Sequence, residues 1–479
     1  MRLPPALPIA LLAAILPPCA GAQPGEHIQR IEHGLRLPIA VQGAPEQGMD
    51  LAERMRMWHV PGVSIAVFND GKIEWARGYG VTEAGGKQAV TPATRFQAAS
   101  ISKMATATAA MALAERGKVD LDRDVNQLLG AWKIPPSPQL QEAPVTLRRL
   151  LSHTAGIPGD DLDGYAPDGP VPSLLDVLDG RAPANSAPVR VSHVPGSGYR
   201  YTGGGYAVIQ LLLAERNGAS FPATIDSLVL RRTGMNHSSF NAPSASEAAI
   251  GHDLEGKPVP GGWHVYPELA AAGLWSTPTD VAKLMLALRR SAAGQPNGVL
   301  SAASARQMMT PVQGGYGLGL ELDHEGPAPT FAHSGSNLGY KSMAFAYAGS
   351  GQGAVVMANG DYGGPLIDEI LRAIAAEYGW PDYRQRVKPA APYPAHLERY
   401  AGEYSVGGLP LVITTEGGKL FAEARPLGPQ KVELVPESEQ RFFMREKEST
   451  LTFVPNGDEP VAEISFFDFG RARPGKRVR

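Results

Sequence analysis

The chain has 479 residues, of which 43% are hydrophobic and 19% charged, and its net charge at pH 7 is −3. This composition is typical of a globular protein long enough for one large catalytic domain and a smaller second domain. The nearly neutral charge gives no electrostatic basis for nucleic acid or an anionic membrane as a partner.

The first 22 residues have the pattern of an export signal. A basic Arg2 precedes an apolar run at 7–16, and the small residues Ala20–Ala22 provide a cleavage site. We therefore predict a periplasmic or secreted mature chain that begins near Gln23. A lipoprotein anchored through Cys19, the single cysteine of the sequence, is the alternative, although two prolines directly before it disfavour that processing. No later stretch is apolar for long enough to cross a bilayer, so no integral membrane segment is expected after cleavage.

The pattern of apolar residues after the signal predicts an α+β fold. Residues 62–80 alternate between apolar and polar across a turn at 69–71, which indicates a β-hairpin. Helix-prone and irregular segments fill 100–288. Strand patterns then return before a last helix, in the segments 315–322, 342–349 and 353–361. We therefore expect an antiparallel sheet flanked by helices, with a helical lobe inserted into it.

The remainder of the chain predicts a second domain. Residues 381–396 form a proline-rich linker, and residues 397–479 contain short strand patterns separated by glycine, proline and asparagine. These patterns predict a small all-β barrel or sandwich. The predicted organisation is a signal (1–22), an α+β domain (23–380), the linker and the β domain.

The first chemical motif is the pair Ser100 and Lys103. If a helix begins at or just after Ser100, the spacing of three residues places both side chains on one face. The field at a helix N-terminus stabilises an alkoxide, and it disfavours a charged ammonium, as do the neighbouring alanines. A lysine without its proton can act as a base, so the pair is a candidate nucleophile and proton acceptor.

Four further stretches follow in order, and together with residues 96–103 they give a family resemblance. They are residues 149–159, 195–210, 270–285 and 331–340. The set resembles the serine β-lactamase-like superfamily, specifically its class C-like branch of β-lactamases, DD-peptidases, D-aminopeptidases and family VIII esterases. The resemblance spans roughly residues 48–380, and five ordered stretches are far more specific than one short motif.

The resemblance implies roles for individual residues. Ser100 is the acylated nucleophile, Lys103 its base, and Tyr201 the tyrosine that exchanges protons with the serine and the leaving group. Such a phenol is useful only if cations lower its pKa or a hydrogen-bonded relay holds it. Tyr199 and Tyr206 are the competing tyrosines in the same stretch.

The third motif, His333-Ser334-Gly335, is implied to lie on the strand that lines the cleft. We count His333 among the catalytic residues and Ser334 among the substrate-binding ones. A glycine at 335 is expected to let the substrate backbone approach. The backbone N–H of Ser336 is expected to join that of Ser100 in an oxyanion hole.

Aromatic residues and one histidine complete the candidate set. Tyr266 is expected at the rim of the cleft with Trp263, His264 and Trp275, although a loop packed on the sheet explains these aromatics equally well. For His153 we favour a role in shaping a turn.

Two departures from the family pattern bear on substrate. The usual Tyr-x-Asn motif reads Tyr201-Thr202-Gly203, and His333 replaces a lysine that would pair with a substrate carboxylate. We therefore expect an exported serine hydrolase that cleaves an amide in a small or D-amino-acid-containing peptide. Carboxylic ester hydrolysis, weak β-lactamase activity, and non-catalytic binding of cell-wall peptides remain alternatives.

We expect no metal and no cofactor, with a small molecule or peptide as the partner. The β domain is expected to restrict the cleft or contact substrate, and the oligomeric state is left open.

Overall fold

The computed structural model describes residues 24–45, 48–159, 162–296, 298–454, 459–468 and 470–478. The predicted export signal and Cys19 lie outside these ranges. Within them, no helix has both the length and the apolar character needed to cross a bilayer. The helices are α1 (Pro24–Glu32), α2 (Leu51–Met57), α3 (Ser102–Glu115), α4 (Val125–Leu128), α5 (Leu147–Leu151), α6 (Leu174–Asp179), α7 (Gly203–Asn217), α8 (Phe221–Ile225), α9 (Arg231–Thr233), α10 (Leu269–Ala272), α11 (Pro278–Ala292), α12 (Ala302–Met308) and α13 (Gly363–Tyr378).

In the described part of the chain, ten strands precede the predicted β domain, and six of them form the central sheet. They are β1 (Ile39–Val41), β2 (Gly62–Asn69), β3 (Lys72–Gly80), β4 (Phe96–Ala99), β5 (Leu274–Ser276), β6 (Glu321–Asp323), β7 (Thr330–Asn337), β8 (Tyr340–Tyr347), β9 (Gly353–Ala358) and β10 (Arg386–Lys388). The central sheet has the order β3-β2-β9-β8-β7-β6, and all its neighbours are antiparallel. The predicted α+β fold is therefore confirmed.

The predicted hairpin is β2–β3, and its turn explains why it forms. Asp70 and Gly71 have φ angles of +48° and +71°, as a two-residue type I′ turn requires. Strand β2 is buried on both faces, because helices cover both sides of the sheet. Ala66 and Phe68 join the core under α11, whereas Val63, Ile65 and Val67 join the core under α13.

Helix α3 lies at the centre of the inserted lobe. It packs against α7 and α10, and every residue from Ser102 to Leu113 is buried. Alanine and threonine fill most of these positions, which lets neighbouring helices approach closely. The buried hydroxyls are satisfied locally: Thr106 donates to Ala270 O at 3.0 Å and Thr108 to Met104 O at 2.8 Å. A lysine in this helix is therefore held by its surroundings and does not reach bulk solvent.

The β domain is a closed barrel rather than a sandwich. Its strands are β11 (Gly402–Val406), β12 (Leu409–Glu416), β13 (Lys419–Glu423), β14 (Val432–Pro436), β15 (Arg441–Met444), β16 (Thr450–Val454), β17 (Glu463–Asp468) and β18 (Arg471–Arg477). They pair in chain order, β11 with β12 and onward to β18, which pairs back with β11. Along β12, Leu411 and Ile413 are buried whereas Val412 between them is exposed, the alternation that a packed barrel interior requires.

The barrel docks on the N-terminal segment and on the loop after β9. Phe443 of the barrel packs with Ile39, and strand β10, inside the predicted linker, pairs in parallel with β1. Tyr362 Oη donates to the backbone oxygen of Arg425 at 2.8 Å. The barrel thus contacts the segment that follows β9, one of the two middle strands of the central sheet.

Candidate active site

Ser100 lies on a sharp turn between β4 and α3. The preceding Ala99 has φ +49°, in the left-handed region that alanine rarely adopts. Two bonds hold this conformation: Ser102 Oγ donates to Ala99 O at 2.5 Å and accepts from Leu274 N at 2.9 Å. These bonds fix the strained turn to β5. Ser100 lines a cavity of about 820 Å³.

Lys103 stands behind Ser100 and is 1% exposed. Its Nζ lies 2.9 Å from Ser100 Oγ and 3.0 Å from Ala271 O. The same Nζ lies 4.7 Å from the centre of the Tyr201 ring and 5.5 Å from that of Tyr206. The predicted pair is thus brought together, at a distance across which a proton can pass from the hydroxyl to the amine.

Tyr201 is the tyrosine nearest this pair. Burial raises the pKa of its phenol above the usual value, and a side-chain hydrogen bond with Ser100 only partly opposes this. Although 38% of the residue's surface is exposed, its hydroxyl interacts with Ser100. Of the two expected uses of the phenol, a hydrogen-bonded relay is therefore favoured over an ionised base. Of the competing tyrosines, Tyr206 is fully buried, with its hydroxyl on Leu151 O, and Tyr199 does not line the cavity.

His333 lies behind the cavity wall and does not line the cavity. It is fully buried, with Nε2 2.9 Å from the hydroxyl of Tyr316 and Nδ1 2.7 Å from Ser334 O. Our expectation that it takes the place of a substrate-facing lysine has no support in this geometry. Strand alternation is the physical reason: Ser334 and Ser336 are exposed, so the side chain of His333 points to the core.

His153 is buried in the same cluster and shapes its turn, as expected. Its φ is +57°, its Nδ1 accepts from the backbone N–H of Thr202 at 3.2 Å, and its ring centre lies 4.3 Å from that of Tyr201, with the two planes tilted by 36°. Burial lowers its pKa well below the usual range, and Lys103 lowers it further. Burial also lowers the pKa of His333, against the raising effect of Glu321.

These two histidines predict an acid-sensitive stability. Their folded pKa values lie below the unfolded value of 6.5, so the unfolded chain binds more protons as the pH falls. The free energy of unfolding should therefore decrease below about pH 6.5, by up to about 1.4 kcal/mol per pH unit for each histidine. His153→Asn keeps an acceptor for Thr202 N–H and tolerates a left-handed φ, and it should reduce this slope.

Thermal melting between about pH 7.5 and 5.5 measures the slope. The matched control is His324→Asn at an exposed position, which should leave the slope unchanged. An unaltered slope in His153→Asn would contradict the assignment of the effect to that histidine.

One edge of β7 is open toward the cavity. Strand β6 pairs only with residues 330–332, and beyond them Ser334 N donates to Glu321 Oε1 at 3.3 Å. The Ser334 hydroxyl donates to the same oxygen at 3.1 Å. Backbone N–H groups alternate in direction along a strand, so the N–H of Ser336 points to this edge as well. Its role in an oxyanion hole stays a prediction.

Gly335 is required for packing of this protein's own backbone. A Cβ added at this position would lie 2.4 Å from Ala98 O and 2.3 Å from Ser342 Oγ. The close approach is that of β4, the strand that carries the Ser100 turn. Gly335 also lines the cavity, and the expected approach of substrate to it stays a prediction.

Most of the predicted site residues line the cavity, together with several residues that the sequence did not indicate. Tyr266 lines it, and its hydroxyl accepts from Leu338 N at 3.1 Å. Trp263 and Trp275 pack against each other, with ring centres 5.0 Å apart, and do not line the cavity. No described residue of the barrel lines it either, so the expected contact of the barrel with substrate has no support here. The lining residues are Ser100, Lys103, Leu162, Asp163, Tyr201, Gly203, His264, Tyr266, Ala272, Glu321, Ser334, Gly335, Ser336, Asn337, Leu338, Lys341 and Asp361.

Leu162 occupies the space that a side chain at position 203 would need. A Cβ added at Gly203 would lie 2.6 Å from Leu162 Cδ1. Gly203, which replaces the usual asparagine, leaves room for the Leu162 side chain, and this side chain makes the cavity wall apolar at that point. Across the described residues, no group of three His, Cys, Asp or Glu is arranged to hold a metal ion.

A family model described as Beta-lactamase matches residues 50–378. The chain belongs to this beta-lactamase family. Penicillin-binding protein 4 of Amycolatopsis lactamdurans is 28% identical over 376 residues, which cover 74% of this chain and 95% of that protein. Residues 50–378, which the family model matches, contain every described residue that lines the cavity and all six strands of the central sheet.

Solved structures show the same fold. The octameric penicillin-binding protein homologue from Pyrococcus abyssi has a TM-score of 0.61 at 24% identity, over 89% of this chain and 98% of that one. The D-amino acid amidase from Ochrobactrum anthropi SV3, complexed with L-phenylalanine amide, has a TM-score of 0.57 at 21% identity, over 74% and 99% of the two chains. At these identities the likeness establishes the beta-lactamase fold alone.

Proposed function

We propose that the protein is a serine hydrolase that forms an acyl-enzyme on Ser100 and cleaves an amide in a small or D-amino-acid-containing peptide. The observation that carries this proposal is the 2.9 Å contact of Lys103 Nζ with Ser100 Oγ in a cavity also lined by Tyr201. Lys103 is almost completely buried, and a lysine amine in its neutral form is a competent base.

Acylation begins with transfer of the Ser100 proton to the Lys103 amine. The Oγ then attacks the carbonyl carbon, and the carbonyl electron pair moves to oxygen. We assign the N–H groups of Ser100 and Ser336 as the donors to that oxyanion. The departing amine takes a proton from Lys103 through the hydroxyl of Tyr201, whose raised pKa keeps it protonated as a relay. Water then hydrolyses the ester by the same proton route in reverse.

Charges in the cavity favour a substrate that carries an amino group. Asp163 and Glu321 are carboxylates on its wall, and Lys341 is paired with Asp361 at 2.8 Å. His333 supplies no cation there, because it lies behind the wall and burial lowers its pKa. A β-lactam or peptide carboxylate thus meets more negative than positive charge among the described lining residues, so only weak β-lactam turnover is expected.

An intact-mass experiment tests the proposal. A fluorophosphonate probe should add one adduct to the wild-type chain and none to Ser100→Ala, while Ser350→Ala, in an exposed turn, should be labelled like wild type. D-amino acid amides should be turned over faster than nitrocefin. Absence of an adduct on the wild type would contradict the proposal and favour the non-catalytic binding protein.

Ester hydrolysis is a second candidate, and Leu162 is the observation that favours it. An asparagine amide would bind the polar amide of an acyl group, whereas the apolar contact of Leu162 with Gly203 suits a plain acyl chain. Turnover of p-nitrophenyl esters without turnover of D-amino acid amides would establish this alternative over the amidase.

Export to the periplasm or secretion is part of the proposal. It is supported by Arg2, the apolar run at 7–16 and the small residues Ala20–Ala22. N-terminal sequencing of protein recovered outside the cytoplasm should begin near Gln23. A full-length chain retained in the cytoplasm would contradict export without affecting the proposed chemistry.

A further inference from the structure

Glu321 lines the cavity beside Ser334, at the open edge of β7. Its Oε1 accepts from the backbone N–H of Ser334 at 3.3 Å and from the Ser334 hydroxyl at 3.1 Å. A hydroxyl has one proton to donate, so the Ser334 oxygen offers only lone pairs to a group that enters the cavity. The two hydrogen bonds fill only part of the lone-pair sites of the carboxylate. Both residues therefore present acceptors at this point of the wall.

The charge of Glu321 is not offset by a charged side chain. Among the described residues, the one titratable nitrogen within ion-pair distance is His333 Nδ1, 3.7 Å from Oε1. That Nδ1 lies closer to Ser334 O, at 2.7 Å, and the hydroxyl of Tyr316 lies 2.9 Å from Nε2. A neutral ring that donates from Nδ1 and accepts at Nε2 satisfies both contacts. Burial lowers the pKa of His333 more than Glu321 raises it, which also favours the neutral ring.

Glu321 lies on the side of the cavity where the proposed leaving group receives its proton. The ring centre of Tyr201, the proposed relay, is 6.3 Å from that of His333, the residue that Glu321 approaches. Burial is the main cause of the raised pKa of Tyr201, and the charge of Glu321 raises it further. Burial also raises the pKa of Tyr266, and there Asp163 is among the carboxylates that add to the effect. The two carboxylates thus lie near different tyrosines, and Glu321 is the one near the relay.

We propose that Glu321 and the hydroxyl of Ser334 bind an ammonium group carried by the leaving amine of the substrate. This inference rests on the proposed chemistry at Ser100, and it names the substrate class as an amide of an amine with a second, basic amino group. The C–N bond breaks as the acyl group passes to Ser100, and the amine departs with the proton that reaches it through Tyr201. An ammonium on that amine donates to the acceptors of the wall, whereas a carboxylate there meets lone pairs and negative charge.

Three D-alanine amides with a common acyl group test this proposal. Their leaving amines are ethylenediamine, propylamine and glycine, which have similar lengths and end in a cation, a methyl group and an anion. All three form the same acyl-enzyme, so differences in kcat/KM report contacts of the leaving group. Wild type should cleave the ethylenediamine amide about fivefold or more faster than the propylamine amide, and the glycine amide most slowly. High salt should reduce this preference, because Glu321 is partly exposed.

Glu321→Gln removes the charge and keeps an acceptor for Ser334. The ethylenediamine and propylamine amides should then be cleaved at rates within about twofold of each other. Glu325→Gln is the matched control, since it makes the same change at an exposed position outside the cavity, and it should keep the wild-type ratios. Asp163→Asn should keep these ratios as well, because that carboxylate lies near Tyr266.

Fluorophosphonate labelling of Ser100 separates failure of this inference from failure of the proposed function. A labelled wild type that cleaves both uncharged and cationic amides equally fast would overturn the inference and leave the chemistry standing, as would loss of the preference in Asp163→Asn but not in Glu321→Gln. An unlabelled wild type would overturn the proposed function and the inference together. Labelling of Glu321→Gln at the wild-type level shows that its site is intact.

An ester pair extends the test to an enzyme that cleaves only esters. Acetylcholine and its uncharged isostere, in which carbon replaces the quaternary nitrogen, share the acetyl group and differ in the charge of the leaving alcohol. Wild type should prefer acetylcholine, and Glu321→Gln should not. Equal cleavage of the two esters by wild type would contradict the assignment of Glu321.

Discussion

Replacing Lys103 with methionine is expected to lower kcat by about a thousandfold, within the range of about 10²–10⁴ found for positioned acids and bases. Methionine fills nearly the same volume among the alanines of α3, but it cannot take the proton of Ser100. The melting temperature should stay the same or rise, because an apolar side chain of similar volume replaces a buried polar amine. Initial rates on a D-amino acid amide and a p-nitrophenyl ester, with a thermal melt, measure both effects.

The matched control is Lys87→Met, which changes the same residue type at an exposed position. Its rate and melting temperature should equal those of wild type. A kcat for Lys103→Met within about tenfold of wild type would show that another group accepts the proton, since that loss is below the range for a positioned base.

Gly335→Ala is expected to lower both stability and activity. Its Cβ would meet Ala98 O at 2.4 Å and Ser342 Oγ at 2.3 Å, so β4 and β7 must separate. Overpacking of this kind destabilises by about 1–3 kcal/mol. Because Ala98 stands two residues before Ser100, the nucleophile moves with the strand, and a shift of about 1 Å can lower the rate about a hundredfold. Chemical denaturation and kcat/KM measure the two losses.

The joint loss distinguishes two roles of this glycine. If Gly335 served only to admit substrate, the alanine variant would lose activity at unchanged stability. Gly364→Ala provides the control, because a Cβ added there has nothing within 4 Å and the position is helical. That variant should gain about 0.5–1 kcal/mol of stability and keep its activity.

The sheet and barrel could be predicted because their signals are local. The hairpin turn at Asp70 and Gly71 and the alternation along β12 each depend on residues close together in the chain. The choice of barrel over sandwich could not be made from the sequence, because it depends on β11 and β18 pairing, through Tyr404 and Arg477 for example.

Site residues that are neighbours in the chain could be predicted, whereas those whose placement depends on tertiary packing could not. Ser100 and Lys103 share one turn, so their contact follows from helix geometry. Glu321 reaches the cavity only because β6 ends beside β7, which no local pattern indicates. His333 carries a motif, but whether it faces substrate or core depends on strand orientation, and here it faces the core.

The order of the central sheet has a consequence for biosynthesis. Strand β9 (Gly353–Ala358) separates β2 from β8, yet it is the last of the six strands to leave the ribosome. Until residues 353–358 emerge, β2 and β8 keep bare edges, and the Ser100 turn has no completed sheet behind it. A nascent chain shorter than this should remain sensitive to protease and prone to associate through those edges.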